Sequence, residues 1–154
     1  METYLIKSET TTLKITPEAY HTMIEHGESG FPNEICGFLY GKYSGDEKLI
    51  TLAKPAENVK EGDQRRRFEI DPRDYQRAEV FALTEGLDFL GIYHTHPNHP
   101  AIPSIHDLKQ AMPVFSYIIL SIQEGKFDHI RSWQIDDQEN KFFEENITNL
   151  NQNG

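Results

Sequence analysis

A single cysteine, Cys36, stands in 154 residues, so no internal disulfide can form, and a reducing compartment is the natural setting. Its surroundings, Ile35-Cys36-Gly37-Phe38-Leu39, read as a buried small side chain rather than a nucleophile. Positive charge is also scarce. The 15 basic residues face 25 acidic ones, for a formal charge of −10, which opposes non-specific binding to nucleic acid or to an anionic membrane surface. Long apolar runs are missing too: stretches such as Tyr117 to Leu120 fall far short of a membrane span, and Met1-Glu2-Thr3-Tyr4 lacks the basic and apolar parts of a signal peptide. A cytoplasmic protein is expected. There is no internal repeat, low-complexity tract or convincing linker. What remains, 37% apolar and 11% aromatic residues, suffices for the core of one domain. That domain is expected to span residues 1–145, with the polar stretch Asn146 to Gly154 frayed as a disordered tail.

Leu13-Lys14-Ile15 reads as a short strand, and Thr16-Pro17-Glu18 supplies a cap, a proline at the first helical position and an acidic first turn. A helix to about Glu25 should follow, broken by Ser29-Gly30-Phe31-Pro32. Ile35 to Tyr43 and Lys48 to Pro55 read as a hairpin around Ser44-Gly45-Asp46. After a polar loop from Glu57 to Gln64, Arg66 to Ile70 is expected to form a strand. Asp71-Pro72-Arg73-Asp74 repeats the cap-and-proline grammar for a helix to about Glu85, ended by Gly86. A strand from Leu87 and a helix from Ser104 to about Pro113 come next, then strands near Phe115 to Ile122, Phe127 to Ile135 and Lys141 to Glu145. Strands interleaved with helices, with hairpins at both ends, predict an α/β domain built on a mixed sheet.

His94-Thr95-His96-Pro97 and Ser104-Ile105-His106-Asp107 carry the most chemical information. On a strand, His94 and His96 project from one face, so both imidazoles can converge on one ion. Asp107 falls in the first turn of the following helix, and two neutral imidazoles with one carboxylate leave a fourth zinc position open. Each piece has a plainer reading. Ser104 with Asp107 is an ordinary capping box, and His-x-His is often a polar strand edge. The joint register, with ten residues between His96 and Asp107, favours the metal. His106 neighbours Asp107 but points about 100° away on a helix, so it is read as surface. His99 is either an exposed loop residue or a substitute donor, and His21, His26 and His129 lack ligand spacing. Arg65-Arg66-Arg67 is a solvated face or a substrate contact, and Trp133 is core or rim packing.

These segments resemble the signature of the JAMM (MPN+, Mov34/PAD-1) metalloproteases: a His-x-His-Pro strand end, a spacer and Ser-x-x-Asp. The upstream stretch Pro32-Asn33-Glu34-Ile35-Cys36-Gly37 is similar to the family's glutamate-bearing segment. The resemblance runs from about Leu13 to Ile135. It implies Zn2+ held by His94, His96 and Asp107, with Glu34 as general base and Ser104 stabilising the oxyanion. It also implies a curved sheet flanked by helices, similar to that of cytidine deaminases. Such enzymes hydrolyse the amide after the C-terminal glycine of a ubiquitin-like protein, and small stand-alone members act on β-grasp sulfur-carrier proteins. The expected partner is therefore a protein of that kind, its tail laid along a sheet edge, with no nucleic acid and no membrane involved. No oligomeric state follows. Independent chemistry agrees with these roles, because water acidified from a pKa of about 15.7 to about 7 by zinc still needs a carboxylate to take its proton. The rival from another class is a non-catalytic MPN scaffold with structural zinc.

Other metal chemistries fit poorly. A β-lactamase-like His-x-His-x-Asp-His pattern needs aspartate where Asn98 stands, and a zinc deaminase needs a Pro-Cys-x-x-Cys that one cysteine cannot supply. An amidohydrolase barrel needs about 250 residues.

Overall fold

The computed structural model describes residues 3–7 and 10–150. Its strands are β1 (Tyr4–Leu5), β2 (Thr12–Ile15), β3 (Cys36–Ser44), β4 (Glu47–Ala56), β5 (Asp88–Pro97), β6 (Ser116–Gln123), β7 (Lys126–Asp136) and β8 (Lys141–Asn149). The helices are α1 (Pro17–Gly30), α2 (Pro72–Glu85) and α3 (Ile105–Gln110). The sheet order is β1-β8-β2-β4-β3-β5-β6-β7, and a β7–β8 pairing closes it on itself. It is mixed, as expected. The hairpins β3–β4, β6–β7 and β7–β8 are antiparallel, while β5–β6 and β2–β4 are parallel. Closure leaves no long free edge running the height of the sheet among the described residues, so the tail-binding edge expected from the sequence can only be local. Among those residues, no helix is long and apolar enough to cross a membrane.

Two apolar clusters fill the two sides of the curved sheet. Leu13, Ile15, Leu39, Ile50 and Leu120 pack with Ala19 and Met23 of α1, while Phe38, Tyr40, Ile92 and Ile119 pack with Ala78 and Ala82 of α2. Strand alternation assigns β5 residues to the two sides in turn. Tyr93 belongs with the α1 cluster and Ile92 with the α2 cluster, so His94 and His96 share the face of Ile92. The register of β5 is fixed from both flanks: Cys36 of β3 stands opposite His94, and on the other side Ile119 and Ser121 of β6 stand opposite His94 and His96.

Three expectations need correction. Helix α1 runs to Gly30 rather than Glu25. Its late glycines serve close packing: a Cβ on Gly27 would lie 3.0 Å from Thr95 Cγ2, and one on Gly30 2.2 Å from Ile35 Cγ2. Arg66 to Ile70 is not a strand. Phe68 and Ile70 are buried with alternating spacing, but no ladder forms: Asn58 Nδ2 donates to Arg67 O at 3.2 Å, Asn58 Oδ1 accepts from Glu69 N at 3.1 Å, and a single backbone bond from Val59 N to Glu69 O at 2.9 Å stands beside them. Finally, β8 continues through Asn149 into the segment expected to fray, because β2 pairs with it in parallel, Thr12 opposite Asn146 and Ile15 opposite Asn149. Residues 151–154 of that expected tail lie outside the described residues.

Candidate metal centre and its cleft

The end of β5 and the start of α3 bring three donors together. Ligand atoms of His94, His96 and Asp107 all lie within 4.8 Å of one another. His94 Nε2 is 3.3 Å from Asp107 Oδ1, and His96 Nε2 is 3.2 Å from Asp107 Oδ2. Helix α3 aims the carboxylate through a reciprocal capping box. Ser104 Oγ accepts from Asp107 N at 3.1 Å, and Ser104 N donates to Asp107 Oδ2 at 2.8 Å. His96 Nδ1–H donates to Pro100 O at 2.9 Å, which fixes the tautomer and turns the Nε2 lone pair toward the cluster.

These residues fit a bound cation. His94 is only 1% exposed, yet among the described residues neither ring nitrogen makes a well-aligned hydrogen bond, Nε2 having only the Asp107 carboxylate at 3.3 Å. An orphaned buried imidazole costs on the order of 1–3 kcal/mol, and coordination supplies the interaction it lacks. Two imidazoles and a carboxylate, with no thiolate, are a donor set suited to zinc with an open position. The protonation states of His94 and Asp107 agree, and His96 gives up its proton on binding a cation. Burial holds His94 below its ordinary value against the pull of Asp107, keeping it neutral as a ligand must be. Burial also works against charge on His96 and on Asp107. The attraction of Asp107 outweighs burial in raising His96, and His94 first and then His96 hold Asp107 well below the usual carboxylate range.

Glu34 lies just before β3, is 7% exposed and lines the same cleft as His96 and Ser104, a space of about 610 Å³. Burial pushes its carboxyl up to about 8, with His96 opposing and Asp107 adding to the shift. Such a group takes up a proton near neutral pH far more readily than an exposed glutamate. Its backbone is held by the 57–70 loop: Glu34 N donates to Gln64 O at 2.7 Å, and Asn58 Nδ2 donates to Glu34 O at 2.9 Å. Among the described residues Ser104 Oγ bonds only with its cap partner, as acceptor, which leaves its O–H to donate into the cleft. All five residues singled out from the sequence therefore meet at one place.

Several supporting residues were not legible beforehand. Ala101, in the loop between the ligand pair and α3, is clamped twice. His129 Nε2 accepts from Ala101 N at 3.0 Å, and Trp133 Nε1 donates to Ala101 O at 3.0 Å. Asp128 Oδ2 accepts from His129 Nδ1 at 2.6 Å and so sets the tautomer that leaves Nε2 an acceptor. Phe68 lies against His94 with ring centroids 4.5 Å apart. His106, read as surface, is half-buried and lines the cleft, as do exposed His99 and all three arginines of Arg65-Arg66-Arg67. Cys36 is buried and its thiol is raised to about 12, so it stays protonated and inert, as the sequence suggested.

Known proteins share this arrangement of sequence and fold. Residues 16–136 match the family model described as prokaryotic homologs of the JAB domain. A protein named desampylase from Haloferax volcanii is 31% identical over 114 residues, covering 71% of this chain and 80% of that protein. A desampylase of Pyrococcus furiosus is 34% identical over 95 residues, covering 62% of this chain and 64% of that one. The solution structure of a Desulfitobacterium hafniense protein superposes with a TM-score of 0.78 at 30% identity, covering 89% of this chain and 92% of the other. The chain belongs to the prokaryotic JAB-domain family, the JAB/MPN group to which the JAMM signature pointed.

Proposed function

We propose that this protein is a zinc-dependent isopeptidase that hydrolyses the amide after the C-terminal glycine of a ubiquitin-like or β-grasp sulfur-carrier protein. The observation that carries the reading is the cluster of His94, His96 and Asp107, whose His96 lines one cleft with buried Glu34, in a chain whose relatives include desampylases. His94, His96 and Asp107 hold the ion. Zinc, when bound, supplies a Lewis acid that polarises the carbonyl and acidifies water. Glu34 takes the proton from the attacking water and passes it to the leaving amine, a task suited to a carboxyl raised to about 8 by burial. The Ser104 hydroxyl donates to the carbonyl oxygen as negative charge develops there, a contribution of about 100-fold or more in rate. A lone buried Cys36 and a formal charge of −10 support a cytoplasmic protein that acts on other proteins rather than on nucleic acid.

The test is incubation with β-grasp proteins from the same genome, conjugated through a C-terminal glycine to lysine, with and without chelator, read by intact mass. Cleavage after the glycine that stops with chelator and returns with zinc is expected, and Glu34→Gln should lower kcat by about 1000-fold or more while zinc stays bound. A zinc-loaded Glu34→Gln protein that cleaves at the original rate would remove Glu34 from the chemistry. Zinc binding with no cleavage of any conjugate would favour the scaffold.

A further inference from the structure

The cleft beside Glu34 has one wall formed by Arg65, Arg66 and Arg67. A second depression of about 320 Å³ adjoins it. Arg67 and His106 line both, and Lys60, Lys109 and Glu69 line the far part. A groove therefore leads away from the reactive centre carrying Lys60, Arg65, Arg66, Arg67 and Lys109 against Glu69 and, at its inner end, Glu34, in a chain whose formal charge is −10. This positive charge is not neutralised from within. Arg65 and Arg66 share a single carboxylate, Asp63, at 3.6 Å each, and exposed pairs at that separation contribute little. Arg67, Lys60 and Lys109 make no ion pair among the described residues. Nor is the presenting loop loose. Asn58 Nδ2 donates to both Glu34 O and Arg67 O, and Gln64 Nε2 donates to Asn58 O at 3.0 Å and Lys60 O at 2.9 Å. The side chain that fixes Glu34 thus also fixes the arginine backbone.

We infer that this groove is a subsite for an acidic peptide segment, whose Asp or Glu side chains lie next to the scissile amide. The inference rests on the isopeptidase reading and adds a substrate preference to it. Guanidinium forks match carboxylates two bonds at a time, and a preorganised loop holds them at little entropic cost. A short peptide with two or three carboxylates meets only the local positive field. A long polyanion such as nucleic acid must also run past the acidic remainder of the surface, within about a 10 Å screening length.

The test measures binding to the zinc-loaded full chain by fluorescence anisotropy. The rhodamine-labelled, C-terminally amidated peptides contain Gly-Gly followed by three glutamates or by three glutamines, with a reduced CH2–NH link at the scissile position so that nothing is cleaved. The Glu peptide should bind about tenfold tighter at low salt, with the advantage shrinking as salt rises. The triple variant Arg65→Gln/Arg66→Gln/Arg67→Gln should erase that ratio, while Arg73→Gln on α2, whose partner is the helix-capping Asp71, should keep it. Equal binding of the two peptides, a triple variant that retains the preference, or tighter binding of an oligothymidylate of equal charge would each overturn the inference. Preferential peptide binding by a protein that hydrolyses no conjugate leaves the groove standing and removes the isopeptidase reading. Hydrolysis with no preference does the reverse.

Discussion

Replacing Glu34 by glutamine should make the metal-free protein more stable even as it removes the proposed base. Glu34 is 7% exposed and its carboxyl is raised from 4.5 to about 8, chiefly by burial. A folded-state value above the unfolded one means that the native state keeps a proton the unfolded chain releases. The group's favourable contribution is complete below about 4.5 and is lost progressively as pH rises to about 8. With each unit worth 1.36 kcal/mol, the ionised side chain costs the metal-free fold on the order of 5 kcal/mol above pH 8. Burying the glutamine amide returns about 1–2 kcal/mol of that. A net gain of about 3 kcal/mol corresponds to roughly 6–12 °C in Tm for a domain of this size.

The assay is thermal unfolding of chelator-treated wild type and Glu34→Gln followed by circular dichroism at pH 5 and pH 8. Titrations not coupled to Glu34 are common to both proteins, so the difference in Tm reports Glu34 together with its coupling to His96. It should be small at pH 5 and on the order of 10 °C at pH 8. Zinc should narrow the gap, because a neighbouring cation favours the ionised carboxyl. A wild type as stable as Glu34→Gln at pH 8 would refute the claim that burial destabilises this carboxylate.

Ser104→Ala should lower the melting free energy by about 1 kcal/mol through loss of the cap on Asp107 N, and lower kcat by about 100-fold, whereas Ser104→Thr should retain most of both. Gly37→Ala places a Cβ 2.3 Å from the buried Tyr93 ring, whose hydroxyl is held by His26 Nδ1 at 2.8 Å. The ring must move beside His94, so we expect a loss of about 1–3 kcal/mol and weaker zinc retention in a competition assay with a chromogenic chelator. Lys48→Met removes bonds from the buried ammonium to Val114 O at 2.6 Å and Ser116 Oγ at 2.8 Å, releasing a valine held at φ 77°. Chemical denaturation should show a cost of about 1–3 kcal/mol with zinc affinity unchanged, since Ser116 sits opposite Gly91, remote from the ligand pair.

The ligands were legible because chelation ties residue type to spacing. His94 and His96 keep the two-residue period of a strand, and Ser104 with Asp107 keeps the three-residue spacing of a helix start. Helix starts at Thr16 and Asp71 were legible for the same reason, and both caps are present. What stayed hidden depends on partners remote in sequence. Phe68 and Ile70 alternate as in a strand, and nothing local reveals that Asn58, eleven residues before Glu69, takes up Arg67 O and Glu69 N, two of the backbone groups a strand neighbour would have used. The polar letters of Asn146 to Asn149 do not announce a strand either, since their partner is β2 at the other end of the chain. His129 lacks ligand spacing because its role is to hold the backbone of Ala101 rather than an ion.

The two kinds of functional residue stand on different supports, and that difference predicts which property fails first under perturbation. His94 and His96 lie within a strand paired on both sides over His94, and their separation cannot change without breaking the β3–β5 or β5–β6 ladder. Glu34 and Ser104 lie outside the strands, held by Asn58 and Gln64 on one side and, through Ala101, by His129 and Trp133 on the other. Side-chain bonds of this sort are worth about 1 kcal/mol each, so loops open at far lower cost than the sheet. Asn58→Ala and Trp133→Phe should therefore depress kcat before they loosen zinc, whereas Gly37→Ala, next to Cys36 in the β3–β5 ladder that holds His94 and with its Cβ 2.3 Å from the Tyr93 ring, should release zinc and destabilise the fold together. Loss of zinc in Asn58→Ala with turnover per bound ion intact would reverse that assignment and make the loop, rather than the sheet, the holder of the metal.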